Sequence, residues 1–489
     1  ATPIAKAPID VAANVVEEAF AAIDDTTPAA KIGEPISVGV LVPDFEDVRD
    51  SGLVPNLTVA QYADRWRAEA AQLNGAEELA HPLDIIPISW DPLTPESAEQ
   101  ACQQAEELEV FVVATAANFP EHQYRCFTDA GRPVVTANAV SETRFDLSRG
   151  LLFSVQPPRE QLARSGARRL ADEGLLNGTL GVIGNDQSGD KAAAETVASS
   201  LRGLGYTVEL ELVPTTEGIV AVRQTAGDII DRLDAADVGT IVFASNSTVA
   251  GELAPYLAQA GWPVHAIDVD GLVDPYAAER LGAPWEGTLV VTAQAPTTLP
   301  SSIFEDRCRA TFELFQNGMF SEGPIGDWSA TGGRTTRGAL EDSINPPGDI
   351  GYDECTITRV LAAAMDQVGA EPTAADFVEA METLPDPIEI AGNRAGMLGP
   401  NRHWMANHMM MVRLGVDLAC PPGRQACWIS TTGDRSDFEP IRSGAALDST
   451  AARIGEADIK TEPTTERTTP TSPGAAPPPS TTQATPASD

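Results

Sequence analysis

The sequence predicts an α/β chain of two Rossmann-like lobes, each built on a parallel sheet, and three observations carry that reading. Apolar runs of strand length alternate with helical stretches twice over. VFVVATAA from Val110 and PVVTAN from Pro133 form one set, and LGVIGND from Leu180, YTVELELV from Tyr206 and TIVFASN from Thr240 form a second. Alternation of this length implies right-handed βαβ crossovers and parallel sheets. Each run also ends in small or polar residues, which is where open parallel sheets place their ligands. Finally, 489 residues at 43% hydrophobic are enough to bury two sizeable cores. Two such sheets suggest a two-lobed binding cleft, and so a receptor rather than a catalyst.

Residues 1–35 read as a leader in which VAANVVEEAFAAIDD forms an amphipathic helix, with Val11, Val15, Ala19 and Ala22 on one stripe. ISVGVLVP from Ile36 is a continuous apolar run of the buried parallel-strand kind. A helix follows in AQYADRWRAEAAQLNG, then the strand LDIIPISW, then a helix opened by Thr94-Pro95-Glu96. LLFSVQPP, from Leu151 to Pro158, is the first crossing between lobes, and GTLVVTAQAP, from Gly287 to Pro296, the second. Helices over 304–316, 352–369 and 374–384 return to the first lobe. Residues 318–351, rich in Gly, Pro and Thr, read as a long loop. MMMVRLGV and CWIST form a last strand pair. The expected boundaries are 1–35 for the leader, 36–152 plus 293–398 for lobe 1, and 153–292 plus 399–445 for lobe 2. Residues 446–489, dominated by Thr, Pro, Ser and Ala, cannot bury a core and are expected to be a disordered, extended tail.

The formal net charge is -39, with the acids scattered rather than blocked. Such a surface repels nucleic acid and anionic lipid, so neither is an expected partner. Attraction of cationic ligands is one reading of the acidity, and a solubilising or salt-adapted exterior is the plainer one. No stretch reaches the roughly 18–20 apolar residues that span a bilayer. The chain begins at Ala1 with neither a basic n-region nor an apolar h-region, so either a signal segment has been removed or the sequence is a fragment.

Six cysteines occur without a CxxC and without zinc spacing to histidine. The even count favours disulfides and an oxidising compartment, with buried free thiols in a cytosolic protein as the alternative. Six cysteines allow fifteen connectivities, and only Cys420 with Cys427, flanking Pro-Pro-Gly, has a geometric argument. Sequential pairing, Cys102 with Cys126 and Cys308 with Cys355, is the expectation for the rest.

From about Ile36 to Ile429 the order of elements resembles the type I periplasmic binding fold, in particular the branched-chain amino-acid-binding-like solute receptors of ABC transporters. ISVGVLVP looks like that family's opening strand, and VFVVATAANFPEHQYRCFTDAGRPVVTANA is similar to its strand, small-residue turn, helix, Gly-x-Pro and strand. LLFSVQPPREQLARSGARRL looks like the crossing strand and its Gln-containing helix. GVIGNDQSGD resembles the strand that ends in Asp-x-Tyr-Gly, with Ser188 in the tyrosine's place. GYDECTITRVLAAAMDQVG is similar to a Tyr-Asp-Ala helix, and GMLGPNRHWMANHMMMVRL to the closing strand pair in altered form. The resemblance implies two lobes joined by three hinge crossings, closing on a ligand as a hinged trap.

It also implies where ligand contacts fall. In lobe 1 these are Ala114, Thr115 and Ala116 after one strand, and Thr136, Ala137 and Asn138 after the next, as hydroxyl and N–H donors to a ligand carboxylate. The helix after Asn118 would aim free N–H groups at the same anion. Ordinary tight βα turns are the competing account of these residues. Phe45 and Trp90 lie just past the first two strands as an apolar or stacking wall, or as a plain hydrophobic cap. In lobe 2 the candidates are Ser188, then Asn246 and Ser247 at the end of TIVFASN, and Asp268 and Asp270 in VHAIDVDG. Asp270 is the better acceptor for a ligand ammonium, since Asp268 points into the sheet by alternation, and capping a turn is the alternative for either.

No GxGxxG, P-loop or GxSxG occurs. His403 and His408 are five apart with no HExxH between them, and read as strand or loop histidines without a metal. The expected function is therefore an extracytoplasmic solute-binding protein, in the periplasm or at the cell surface, with lipid anchoring left open. It captures a small polar, amino-acid- or amide-like ligand and delivers it to the permease of an ABC importer. It needs no cofactor, is no enzyme and has no direct membrane span. A ligand-sensing ectodomain of the same fold and, from another class, a secreted hydrolase are the alternatives. With all six cysteines paired, alkylation of the native chain should add no mass until a reductant is present. Six alkylated sites without reductant would refute the pairing.

Overall fold

In the computed structural model the described residues are 33–441, except 47–56, 76–78, 93, 118, 216–218, 274, 297, 300, 317–351, 401, 421–423 and 434. The leader helix, the 318–351 loop and the tail lie outside them. Two sheets organise the rest. The first holds β1 (Ile36–Pro43), β2 (Leu83–Trp90), β3 (Val112–Thr115), β4 (Val134–Thr136) and β5 (Leu152–Ser154) in the order β2-β1-β3-β4-β5, all parallel. The second holds β6 (Thr179–Asn185), β7 (Val208–Val213), β8 (Val238–Phe243), β9 (Val264–Ile267) and β10 (Leu289–Thr292), all parallel. Two antiparallel strands, β11 (His408–Val416) and β12 (Ala426–Ser430), extend it beyond β10. Pro87, in the middle of β2, is tolerated because β2 is an edge strand and its second side needs no N–H.

Period-two alternation sends each strand's side chains to two different cores. In β1, Val38, Val40 and Val42 join one cluster while Leu41 joins the other. In β8, Ile241 and Phe243 face one side and Val242 the opposite one. Burial on both faces is what gives parallel strands their unbroken apolar runs. In the first lobe α1 (Val59–Gly75), α11 (Tyr352–Met365) and α12 (Ala374–Glu382) cover one face, and α2 (Pro95–Glu107) with α3 (Tyr124–Asp129) the other. A short α4 (Glu142–Leu147) precedes β5. In the second lobe α5 (Arg159–Asp172) and α6 (Ser188–Gly203) lie on one face. The opposite face carries α7 (Ile219–Ala235), α8 (Ser247–Ala260) and α9 (Pro275–Leu281). The helix α10 (Ile303–Gln316) returns to pack on α1.

The last two return helices stop sooner than the sequence suggests. The stretch expected over 352–369 ends at Met365, and a capping box of Thr373 with Asp376 starts the next helix. That helix ends at Glu382, ahead of Pro385 and Pro387, which disfavour helix in the residues before them. The disulfides are sequential: Cys102–Cys126 ties α2 to α3, Cys308–Cys355 ties α10 to α11, and Cys420–Cys427 closes the β11–β12 turn.

Three chain segments cross between the sheets side by side. The segment after β5 pairs with 403–406 through Ser154 N–H to His403 O at 2.8 Å, Met405 N–H to Ser154 O at 2.9 Å and Ala406 N–H to Val155 O at 2.8 Å. The segment after β10 is tied to the 388–396 hairpin by Ala295 N–H to Gly392 O at 2.5 Å. Buried Asn393 donates from Nδ2 to Ala293 O and, at 3.1 Å, to His408 O, so one side chain holds the second and third crossings together. Gly396 lies against the third crossing so closely that a Cβ would come within 1.9 Å of Met405 O. Backbone cannot yield as a side chain can, so Gly396→Ala is expected to lower the unfolding free energy by about 2 kcal/mol. A urea melt checks this, and an unchanged midpoint would contradict the packing of this crossing.

Candidate functional site

The polar centre of the molecule lies where the first crossing enters lobe 2. Pro158 precedes α5, and Arg159 is its first residue. A cation at a helix N-terminus opposes the helix dipole, so the position must be favoured by something outside the helix. Three carboxylates supply it. The Arg159 guanidinium is 3.4 Å from Glu121 of lobe 1, 2.7 Å from Asp190 and 3.0 Å from Asp270 of lobe 2. Its Nε donates to Ala139 O at 3.0 Å, and its backbone N–H donates to Val140 O at 3.0 Å, both in lobe 1. One buried side chain thus bridges the lobes.

Each partner is held in turn. Asp190, in the first turn of α6, accepts from Asn185 Nδ2, which also donates to Ser245 Oγ at 2.7 Å. Glu121 opens a single 3-10 turn, Glu121–Gln123, ahead of α3. Its carboxylate accepts from Ser141 N–H at 3.1 Å and from the Ser141 hydroxyl, and Arg144 stands 4.0 Å away. Lobe 2 approaches this group so closely that a Cβ on Gly189 would lie 2.4 Å from an Arg159 nitrogen and 2.5 Å from a Glu121 oxygen.

Burial and the charge of Asp270 push the Asp190 carboxyl above its ordinary range, while Arg159 and Asn185 pull it back. Burial alone would weaken the hold of Arg159 on its proton, but Asp270, Asp190 and Glu121 outweigh it and keep the guanidinium charged.

The expected contact residues fall into two groups. Thr136, Asn138 and Asp270 come together around this cluster, but in contact with the protein's own groups. Thr136 Oγ1 meets the buried Tyr124 hydroxyl at 3.0 Å and accepts from Asn138 N–H at 3.1 Å. Asn138 Nδ2 donates to Ala117 O at 2.7 Å, and Thr115 Oγ1 donates to the same carbonyl at 2.9 Å. Burial pushes the Tyr124 phenol up to about 12, so it stays a neutral partner. Asp268 caps the following turn, accepting from Leu272 and Val273 N–H and from Thr292 Oγ1, as the capping alternative anticipates. Asn246 caps α8 through Val249 N–H, with Ser247 beginning that helix, and Ser188 begins α6.

The second group points away from the junction. Ala114 is fully buried in the core between the sheet and α1, and Ala116 packs against the same cluster. Trp90, only 3% exposed, sits edge-on to Phe119 at 4.9 Å in the opposite core, as a hydrophobic cap would. Phe45 is half-buried and faces the Tyr62 ring at 6.2 Å. His403, read from the sequence as a strand or loop histidine, stacks on Phe153 at 4.4 Å and meets Glu382 at 2.7 Å. Among the described residues no group of three or more His, Cys, Asp or Glu side chains is arranged to hold a metal, and no helix is long and apolar enough to cross a membrane. A cavity of about 620 Å³, lined in part by Phe304, Arg359, Asp366, Pro385 and Glu389, lies among α10, α11 and the 384–389 segment, away from this junction.

Glu121, Ser141, Arg159 and Asp190 were not among the sequence candidates. For Arg159 a signal existed, a basic residue directly after Pro-Pro at the start of a helix. The others sit in ordinary helical or turn contexts.

No family model and no curated protein matches the chain. Solved structures do. A solute-binding protein of an ABC transporter from Rhodopseudomonas palustris, in complex with 4-hydroxybenzoate, matches with a TM-score of 0.61 at 12% identity, over 84% of this chain and 99% of the other. Another from strain BisB5 of that species, in complex with 3,4-dihydroxybenzoic acid, gives 0.58 at 12% identity over 84% and 99%. The ABC transporter substrate-binding protein of Desulfitobacterium hafniense in complex with Leu gives 0.53 at 16% identity over 81% and 99%. The fold is therefore the type I periplasmic binding fold, as the order of elements implied.

Glu160, beside Arg159, offers a test of burial at this junction. It accepts from Glu142 N–H at 2.9 Å, and burial raises its carboxyl from an ordinary 4.5 to about 6, with Glu142 and Glu121 adding to the rise. A folded pKa above the unfolded one means the native state binds the proton more tightly. The contribution is then complete below about pH 4.5 and is lost as pH rises through 6. Glu160→Gln, which keeps an acceptor, should stabilise the protein by about 1–2 kcal/mol at pH 7 and by almost nothing at pH 4. Denaturant melts at the two pH values decide it, and an equal effect at both would contradict the burial argument.

Proposed function

We propose that this chain is an extracytoplasmic solute-binding protein that closes two lobes on a small polar solute and presents it to the permease of an ABC importer. The observation that supports this most is the junction itself: three adjacent crossings join two sheets, and a buried polar cluster from both lobes meets where the first crossing enters the second lobe. Such a hinge needs no bond chemistry. A solute touching both lobes favours the closed form by its differential affinity, and a membrane partner reads the closure. The structural neighbours support the same role, and their ligands, leucine and two hydroxylated benzoic acids, are all small and carry a carboxyl group. The amino-acid- or amide-like solute expected from the sequence lies close to that class. A non-enzymatic role fits these neighbours, which are solute-binding proteins.

A thermal-shift screen of amino acids, amides, polyamines, sugars and small organic acids tests the reading. A true solute at about 100 times its dissociation constant should stabilise the protein by roughly 2.7 kcal/mol, a shift of a few degrees. If the solute that gives the shift carries both an ammonium and a carboxylate, the shift should be lost when Asp270 is replaced by Ala. Silence across the whole panel would count against solute capture.

A further inference from the structure

Solute capture between the lobes is the premise, and it leaves open which charges the cleft accepts. The donors of lobe 1 at Ser141, its N–H and its hydroxyl, receive the Glu121 carboxylate. The acids of lobe 2, Asp190 and Asp270, receive the Arg159 guanidinium at 2.7 and 3.0 Å. The two received groups face each other at 3.4 Å. A zwitterion lying across the cleft would place its carboxylate on the first set and its ammonium on the second. The protein's own ion pair holds both positions.

We propose that Arg159 is a specificity-determining residue: it fills the cation position of the cleft, so that solutes carrying a free ammonium or guanidinium are turned away and neutral amides or simple carboxylic acids are admitted. A cation approaching Asp270 would meet a buried like charge, or would have to expel a planar guanidinium whose Nε and both terminal nitrogens have partners. Shape adds to charge, because the space beside the guanidinium is closed by Gly189, where even a methyl group would collide with Arg159 and Glu121.

The test uses the full chain, with leucine, lysine and methylguanidinium as cation-bearing probes and methylurea as a neutral match for methylguanidinium. The wild type should show no thermal shift with the three cations. Arg159→Ala should melt lower than the wild type, and millimolar methylguanidinium should restore several degrees where methylurea does not. If the alanine variant fails to fold, Arg159→Gln, whose shorter side chain keeps a neutral hydrogen-bonding group and leaves the guanidinium position vacant, should show the same order of probes. A wild type stabilised by leucine or lysine, with that stabilisation lost in Asp270→Asn, would overturn the proposal whether or not the variants fold. So would a folded Arg159 variant that methylguanidinium raises no further than methylurea. Failure of solute binding itself looks different: the wild type stays silent to every solute, yet methylguanidinium still rescues the variant.

Discussion

A single buried guanidinium decides how the two lobes meet. Arg159 is 7% exposed, and charge at that depth is tolerated only when paired and hydrogen-bonded. Its partners come from both sides of the cleft, so the groups that keep it in place also bring the lobes together. Breaking such a buried set by removing one member leaves uncompensated charge worth about 3–5 kcal/mol. A second ion pair, Arg435 to Glu305 at 2.5 Å, joins the segment after β12 to the start of α10. Glu305 also accepts from Gly392 N–H at 2.7 Å, next to the second crossing. The molecule is thus braced by charge at the cleft and again beside the hinge.

Much of the fold was legible because parallel strands buried on both faces leave a signal that is hard to mistake. ISVGVLVP and LDIIPISW became β1 and β2 to the residue, and the antiparallel pair at the end of the second sheet followed from MMMVRLGV and CWIST. Shorter strands were legible as elements but not as boundaries. VFVVATAA contributes only Val112–Thr115, since Val110 and Phe111 lead in and Ala116 begins the turn. Helix ends were the weakest part. Nothing in the residues after Met365 forbids another helical turn as strongly as Pro385 forbids one after Glu382.

The side-chain partnerships at the junction were not legible in the sequence. Strand ends of both lobes do converge, which topology alone implies. The hydroxyls and acids chosen at those ends, however, were judged one at a time, and sequence does not show that Thr136 faces Tyr124 or that Asp270 faces Arg159. Residues at such a junction select one another through space across long separations. Arg159 and Asp270 are 111 positions apart in the chain, and no local pattern links them. Ala114 and Trp90, the latter as the hydrophobic-cap alternative had it, show how one bond direction decides the outcome. Both sit in a strand near its end, and the direction of one bond sends each into a core instead of the cleft.

The route of the chain has a consequence for synthesis. The first sheet is complete once Ser154 has been made, yet the face carrying Val38, Val40, Val42 and Phe153 is covered by α11 and α12, which come only at 352–382. Ribosomes add roughly 5–20 residues per second, so that face waits on the order of 10–45 seconds for its cover. The second lobe's parallel strands, by contrast, run continuously from Thr179 to Thr292 with their helices between them. Chain order therefore makes the lobe that starts first one of the last parts to be sealed, and its exposed face stays unpaired until the final helices are available.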